Sequence, residues 1–139
     1  MQKRVRGILI EDGVITLIKR TRDGEIFYVF PGGGVDEGET DEQALEREMK
    51  EELGIDVSVK ELVAKQNFGK PKSKECMNFF YVCKVKGGKL GTGCGPEYTP
   101  GNGYKGTHKP VQIPISKINK LDLRPAEVRD SIFKIYAKN

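Results

Sequence analysis

The chain has 139 residues, 37% hydrophobic and 32% charged, with a formal net charge of +4. That suits one domain, residues 1–139, and the composition is neither disordered nor membrane-like. No apolar run approaches the roughly 18 residues of a spanning helix, and Glu11 and Asp12 follow Lys3, Arg4 and Arg6 too soon for a secretory leader, so the cytoplasm is the expected compartment.

In chain order, Arg4–Ile10 and Val14–Lys19 read as strands around a Glu11-Asp12-Gly13 turn, because Asp-Gly accommodates positive φ. Asp23-Gly24 marks a second turn. Ile26–Phe30 is an apolar run expected as a buried strand, and Pro31-Gly32-Gly33-Gly34 is expected to break it. Thr40 has the chemistry of a helix N-cap, Gln43 completes a capping box, and Gly54 supplies the stop. Ala44, Leu45, Met49 and Leu53 form an apolar stripe at helical spacing. Val57–Asn67, Met77–Lys86 and Val111–Ile115 read as strands. Pro125 opens a last helix to Ala137, with Val128, Ile132, Phe133 and Tyr136 inward. Strands, helix, strands, helix argue a mixed sheet with helices on its faces, an α/β class. Three cysteines, Cys76, Cys83 and Cys94, lack C-x-x-C spacing and are expected as free thiols, with Cys83 in the core.

The net charge hides a split. Between Gly33 and Ile55 nine carboxylates stand against two bases, a balance of −7, and the remainder carries +11. Glu48, Glu51 and Glu52 stand at i, i+3 and i+4, so they share one helix face and repel one another. A hard divalent cation reverses that sign, since carboxylate oxygens are its preferred ligands, and magnesium takes few of them together with substrate phosphates. An ordinary solvated acidic face explains three glutamates equally well; the wider spacing decides between the two.

Reading forward, Gly33 is followed after five residues by Glu39. Seven residues later come Arg47-Glu48, then Met49, Lys50, Glu51-Glu52, Leu53, Gly54 and Ile55. This resembles the Nudix box, G-x5-E-x7-R-E-U-x-E-E-x-G-U, without departure, and Phe30-Pro31-Gly32 ahead of it is also similar to the family. At an average usage near 6% per residue type, a chance match is on the order of one in ten million or rarer. The resemblance implies a Nudix-type α/β/α sandwich with a mixed β-sheet between helices. It implies a hydrolase that cleaves a diphosphate bond in a nucleoside triphosphate or other nucleoside diphosphate derivative, with Mg2+ as cofactor and Mn2+ as a substitute. The metal ligands it implies are the Gly33 carbonyl, Glu48, Glu51 and Glu52. The catalytic group it implies is Glu48, Glu51, Arg47 and Glu39, with Glu48 or Glu51 taking the proton of the attacking water. Glu39 and Arg47 are expected to pair, pinning the loop to the helix.

Many family members carry a further acid shortly before the strand read here as Val111–Ile115. This chain has Thr107-His108-Lys109 there, and Glu97 is the nearest upstream acid. His108, the only histidine, is a candidate proton carrier or substrate contact. Eight glycines fall between Gly87 and Gly106, a length expected of a lid or a surface loop, and Tyr98 and Tyr104 within it are candidates to stack on a base. Lys19-Arg20 are candidates for phosphate contact. Phe27, Tyr28, Phe79 and Tyr81 either line a base pocket or belong to the core. ADP-ribose ranks below nucleoside triphosphates: Pro71 resembles a placement in members that hydrolyse it, but those are usually longer and dimeric through an N-terminal segment not seen here. Dinucleoside polyphosphates are a further candidate. The competing reading is a Nudix-fold module that binds a nucleotide or regulates without hydrolysis. The expected partner is a small nucleotide-like molecule, with neither nucleic acid nor membrane, in a monomer or homodimer. Dispersed bases and an acidic helix disfavour a duplex.

Overall fold

The computed structural model describes residues 2–67, 76–91 and 107–137. Its elements are β1 (Gln2–Glu11), β2 (Val14–Arg22), β3 (Glu25–Val29), β4 (Gly32–Gly34), α1 (Asp41–Leu53), β5 (Ile55–Asn67), β6 (Cys76–Gly88), β7 (Thr107–Pro114), a 3-10 segment (Ile115–Lys120), β8 (Leu123–Arg124) and α2 (Ala126–Tyr136). The strands form one mixed sheet in the order β5-β6-β1-β2-β3-β8, with β4 paired to β1 and β7 to β2. β1–β6 and β3–β8 are parallel, and the other pairs are antiparallel.

Both Asp-Gly turns are two-residue hairpin loops with left-handed backbone at each central position: φ is 51° at Asp12, 75° at Gly13, 52° at Asp23 and 78° at Gly24. That geometry matches the right-handed strand twist. Alternation along the strands then builds two cores. On one face Val5, Leu9 and Ile18 meet Leu45, Met49 and Leu53 of α1. On the other, Ile8, Ile15, Leu17 and Phe80 meet Val128 and Ile132 of α2. The arrangement is an α/β sandwich with helices on opposite faces of a mixed sheet. Among the described residues no helix is long and apolar enough to cross a membrane.

The expected caps of α1 are present. Thr40 Oγ1 accepts from the Gln43 N–H at 3.1 Å, and Gln43 Oε1 accepts from the Thr40 N–H at 3.0 Å. Gly54, at φ 79°, ends the helix and donates to Lys50 and Met49 carbonyls. Ala44, Leu45, Met49 and Leu53 are fully buried, each large side chain stabilising the α1–sheet contact by about 1.5–3 kcal/mol.

Some boundaries differ from those expected. The 26–30 run is not a buried strand: Ile26 is half exposed and only Phe30 is enclosed, because β8 covers β3 at just Tyr28 and Val29. Pro31–Gly34 does not simply break the chain. Gly32, Gly33 and Gly34 pair with Arg6, Val5 and Arg4 as β4, and at Gly32 the approach is open only to a residue without a side chain: a Cβ there would lie 2.0 Å from the Val5 carbonyl oxygen. Strand β7 starts at Thr107, four residues before the expected Val111, and Ile115 belongs to the 3-10 segment. In α2, Pro125 is the N-cap residue, and Tyr136 is exposed rather than inward.

The sheet forks beside α1. β1 pairs with β2 only over Leu9–Glu11, and its earlier residues take β4 instead. Along β2 the same edge passes from β1 to β3, whose partners begin at Ile18. The glycine strand sits in that opening.

Candidate active site

A cleft of about 270 Å³ occupies the fork. It is lined by Gly32, Gly33 and Gly34 of β4, by Glu48, Glu51 and Glu52 of α1, by Arg4 and Arg6 of β1, and by Arg20, Val29 and His108. A larger cavity of about 380 Å³ lies near the β1–β2 turn, among Leu9, Thr16, Ile55 and Val85. It contains none of the clustered glutamates, so chemistry rather than size assigns the site.

Arg47 organises the acidic side. Its Nε and Nη2 donate to the two oxygens of Glu39 at 2.8 and 2.9 Å, a bidentate pair between loop and helix. Nη2 also donates to the Gly34 carbonyl at 3.0 Å. Nη1 donates to Glu48 Oε2 at 2.9 Å and Glu51 Oε1 at 3.2 Å. Those five bonds match the five N–H groups of a guanidinium. The Arg47 hydrogen bonds, with the Asp36 N–H, hold the Glu39 carboxyl down to about 2.

The three glutamates that share a face differ in depth. Side-chain exposure is 36% for Glu51, 16% for Glu48 and 6% for Glu52. Glu48 lies against the backbone of Gly33: a Cβ there would stand 2.6 Å from its carboxyl atoms. Burial pushes the Glu48 carboxyl above the ordinary carboxylate range, with repulsion from Glu52 and Glu51 adding to the rise and Arg47 opposing it. Glu52 Oε1 accepts from the Gly32 N–H at 2.9 Å, and Oε2 lies 3.1 Å from His108 Nε2.

Arg4, Arg6 and Arg20 line the same cleft. Arg6 donates to Asn78 Oδ1 and the Phe30 carbonyl, both at 3.1 Å. Burial lowers its proton affinity and Glu52 partly restores it. Arg20 Nε donates to the Thr107 carbonyl at 3.0 Å. Carboxylates and guanidinium groups lining one cleft suit a cation and a polyanion together.

Of the residues singled out in the sequence, Gly33, Glu48, Glu51, Glu52, Arg20 and His108 meet in this cleft, with Arg47 and Glu39 behind it. His108 is not a loop residue: β7 carries it opposite Arg20. Lys19 points to the opposite sheet face by strand alternation. Phe27, Tyr28, Phe79 and Tyr81 do not line the cleft. Phe27 stacks under Arg124 at 4.1 Å, and Phe79 lies 4.5 Å from Lys3 Nζ. Tyr28 packs on the α2-side core, and the Tyr81 hydroxyl donates to Asp41. Tyr98, Tyr104, Glu97, Cys94 and Pro71 lie outside the described residues. Cys83 is a buried core thiol, pushed up to about 12 by burial. Arg4 and Arg6 were legible only as strand residues, and Asn78, fully buried behind Arg6, went unnoticed; its signal is an amide at the start of an apolar strand.

Among the described residues, no three acid, histidine or cysteine side chains converge closely enough to form a ready-made metal cage. The donor set still fits a hard divalent cation. Glu48, Glu51 and Glu52 offer carboxylate oxygens, and the bare backbone of Gly33 leaves room beside Glu48.

Residues 1–101 match the family model described as NUDIX domain. An 8-oxo-dGTP diphosphatase of Haemophilus influenzae is 51% identical over 75 residues, covering 52% of this chain and 54% of that protein. An ADP-ribose pyrophosphatase of Methanocaldococcus jannaschii is 35% identical over 91 residues, covering 64% of this chain and 54% of that protein. The chain spans about half the length of the curated relatives it matches. A solved structure described as MutT from Aliivibrio salmonicida and Vibrio cholerae superposes with a TM-score of 0.70 at 22% identity, covering 96% of each chain; this is a likeness of fold.

Proposed function

The chain belongs to the NUDIX family, and on that premise we propose that it is a magnesium-dependent pyrophosphohydrolase of a nucleoside triphosphate or another nucleoside diphosphate derivative. The observation that carries this reading is the cleft itself: Glu48, Glu51 and Glu52, held by Arg47 and Gly32, line it together with Arg4, Arg6 and Arg20. Nucleoside triphosphates, 8-oxo-dGTP among them, rank first because three arginines in the cleft suit a chain of phosphates and a diphosphatase of that nucleotide is a relative. ADP-ribose and dinucleoside polyphosphates follow. The reading takes residues 1–139 as one domain, a monomer or homodimer of the cytoplasm, acting on a small molecule.

Glu48, Glu51, Glu52 and the Gly33 carbonyl would hold Mg2+, or Mn2+ in its place. Bound there, the ion would neutralise phosphate oxygens and make a water more acidic. The chain's own groups do the rest. Arg4 and Arg20 bind and orient the phosphates. Glu48 or Glu51 accepts the water's proton on a carboxylate oxygen, each with its other oxygen steadied by Arg47 Nη1. Arg47 and Glu39 position these carboxylates without touching substrate.

The test is a panel of nucleoside triphosphates, 8-oxo-dGTP, dinucleoside polyphosphates, ADP-ribose and nucleotide sugars, with and without Mg2+. Magnesium-dependent release of a mononucleotide from at least one is expected, abolished by chelation. Activity that survives chelation sinks the metal mechanism. Tight binding of a nucleotide without turnover would instead support a recognition module.

A further inference from the structure

Glu52 is the deepest of the three clustered carboxylates. Two groups that meet it come from strands remote in sequence. On one side the Gly32 N–H of β4 meets Oε1 at 2.9 Å; on the other, His108 Nε2 of β7 lies 3.1 Å from Oε2. The imidazole and the carboxylate are both enclosed, with side-chain exposures of 10% and 6%. The register that brings His108 there is anchored locally. β7 pairs antiparallel with β2 so that His108 faces Arg20, and Arg20 Nε ties down the preceding Thr107 carbonyl.

We propose that His108 is a positioning residue for Glu52: with its proton on Nε2 it donates to Oε2 and, with the Gly32 N–H, fixes the plane of that carboxylate for a divalent cation. This rests on the metal reading of the same cleft given above. A carboxylate offers about four lone-pair directions on two oxygens. The Gly32 and His108 contacts engage one direction on each oxygen. A carboxylate gripped from one side only rotates about its last bond, and partners of this kind typically govern 10–100-fold in metal affinity. The role differs from a proton carrier or a substrate contact, both of which place the imidazole against the reacting molecule rather than against a ligand. It also differs from direct ligation, in which an imidazole nitrogen faces the ion itself.

The experiment reads Mn2+ affinity of the folded protein without nucleotide, from the loss of the free-ion EPR signal. Wild type is compared with His108→Ala, His108→Gln and Glu52→Gln. His108→Ala is expected to bind about 10–100-fold more weakly, and His108→Gln, whose amide N–H can donate in the same place, within about threefold of wild type. kcat is expected to fall in His108→Ala at subsaturating metal, with the nucleotide KM at saturating metal little changed. If His108→Ala does not fold, His108→Phe fills the space without a donor and is expected to show the same weakening. Unchanged affinity in the donor-less variant overturns the proposal, as does a glutamine variant as weak as the alanine one. An imidazole nitrogen coupled to Mn2+ in pulsed EPR also overturns it, by making His108 a ligand. Wild type that binds no Mn2+ overturns the metal reading together with this one; wild type that binds while the variants match it overturns this one alone.

Discussion

Replacing Gly33 with alanine would place a methyl carbon 2.6 Å from the Cδ and both oxygens of Glu48, where ordinary contact begins near 3.4 Å, so the carboxylate must retreat by about 0.8 Å. The backbone itself does not object, since Gly33 lies outside the left-handed region. What yields is the end of a side chain, so the fold survives. Displacing Glu48 breaks its 2.9 Å bond from Arg47, a charged hydrogen bond of about 1.5–3 kcal/mol; the lower entropy of the unfolded alanine chain offsets about 0.4–1 kcal/mol of that. A net loss near 1–2 kcal/mol corresponds to a Tm fall of about 3–8 °C for a domain of this size. Function suffers more. A displacement approaching 1 Å at a reacting centre costs on the order of 100-fold, so kcat/KM on the best substrate of the panel is expected to fall about 100-fold. The assay is magnesium-dependent hydrolysis beside a thermal melt of the same preparation. Retention of full turnover would refute the placement of Glu48 against Gly33 as a functional contact. A collapse of the fold would refute the claim that only a side chain gives way.

Gly32→Ala is the structural counterpart: its Cβ meets the Val5 carbonyl at 2.0 Å and φ is 146°, so β4 cannot pair and a loss of about 3 kcal/mol or more is expected in urea unfolding. Glu52→Gln is expected to lower turnover at least ~100-fold with Mn2+ affinity falling in parallel; unchanged turnover would remove Glu52 from the ligand set. The Glu39–Arg47 clamp sets an acid dependence. Because the folded carboxyl sits at about 2 against an ordinary 4.5, its contribution is present above 4.5 and fades as pH falls toward 2. The stability gap between wild type and Glu39→Gln should therefore narrow across that window, and a gap that stays constant from pH 5 to 2.5 contradicts the clamp. Leu45→Ala, which empties a fully buried position under α1, is expected to cost about 2–5 kcal/mol, read from the shift of the urea midpoint.

The helix α1 was legible residue by residue because everything that defines it is local. Thr40 and Gln43 cap it within one turn, Gly54 closes it, and the stripe from Ala44 to Leu53 follows a fixed period. The two Asp-Gly hairpins were legible for the same reason. The Glu39–Arg47 pair was expected from the family resemblance rather than from its eight-residue spacing, which a loop that folds back on its own helix closes. Tertiary structure decided the rest. Helical phase puts Glu48, Glu51 and Glu52 on one face, but it does not say that Glu52 is enclosed while Glu51 meets solvent; that follows from the glycine strand β4 and from β7 packing over one end of the face. Arg4, Arg6 and Arg20 come to one cleft only because β1 and β2 part and β4 pairs with β1 there. His108 reaches Glu52 across 56 positions of sequence through the register of β7 on β2. Strand register is set by which distant segments pair, and a one-residue slip would turn His108 to the other face of the sheet. The acidic helix is thus a property of a short stretch of residues, whereas the arginines and the histidine that complete the cleft are brought there by the sheet.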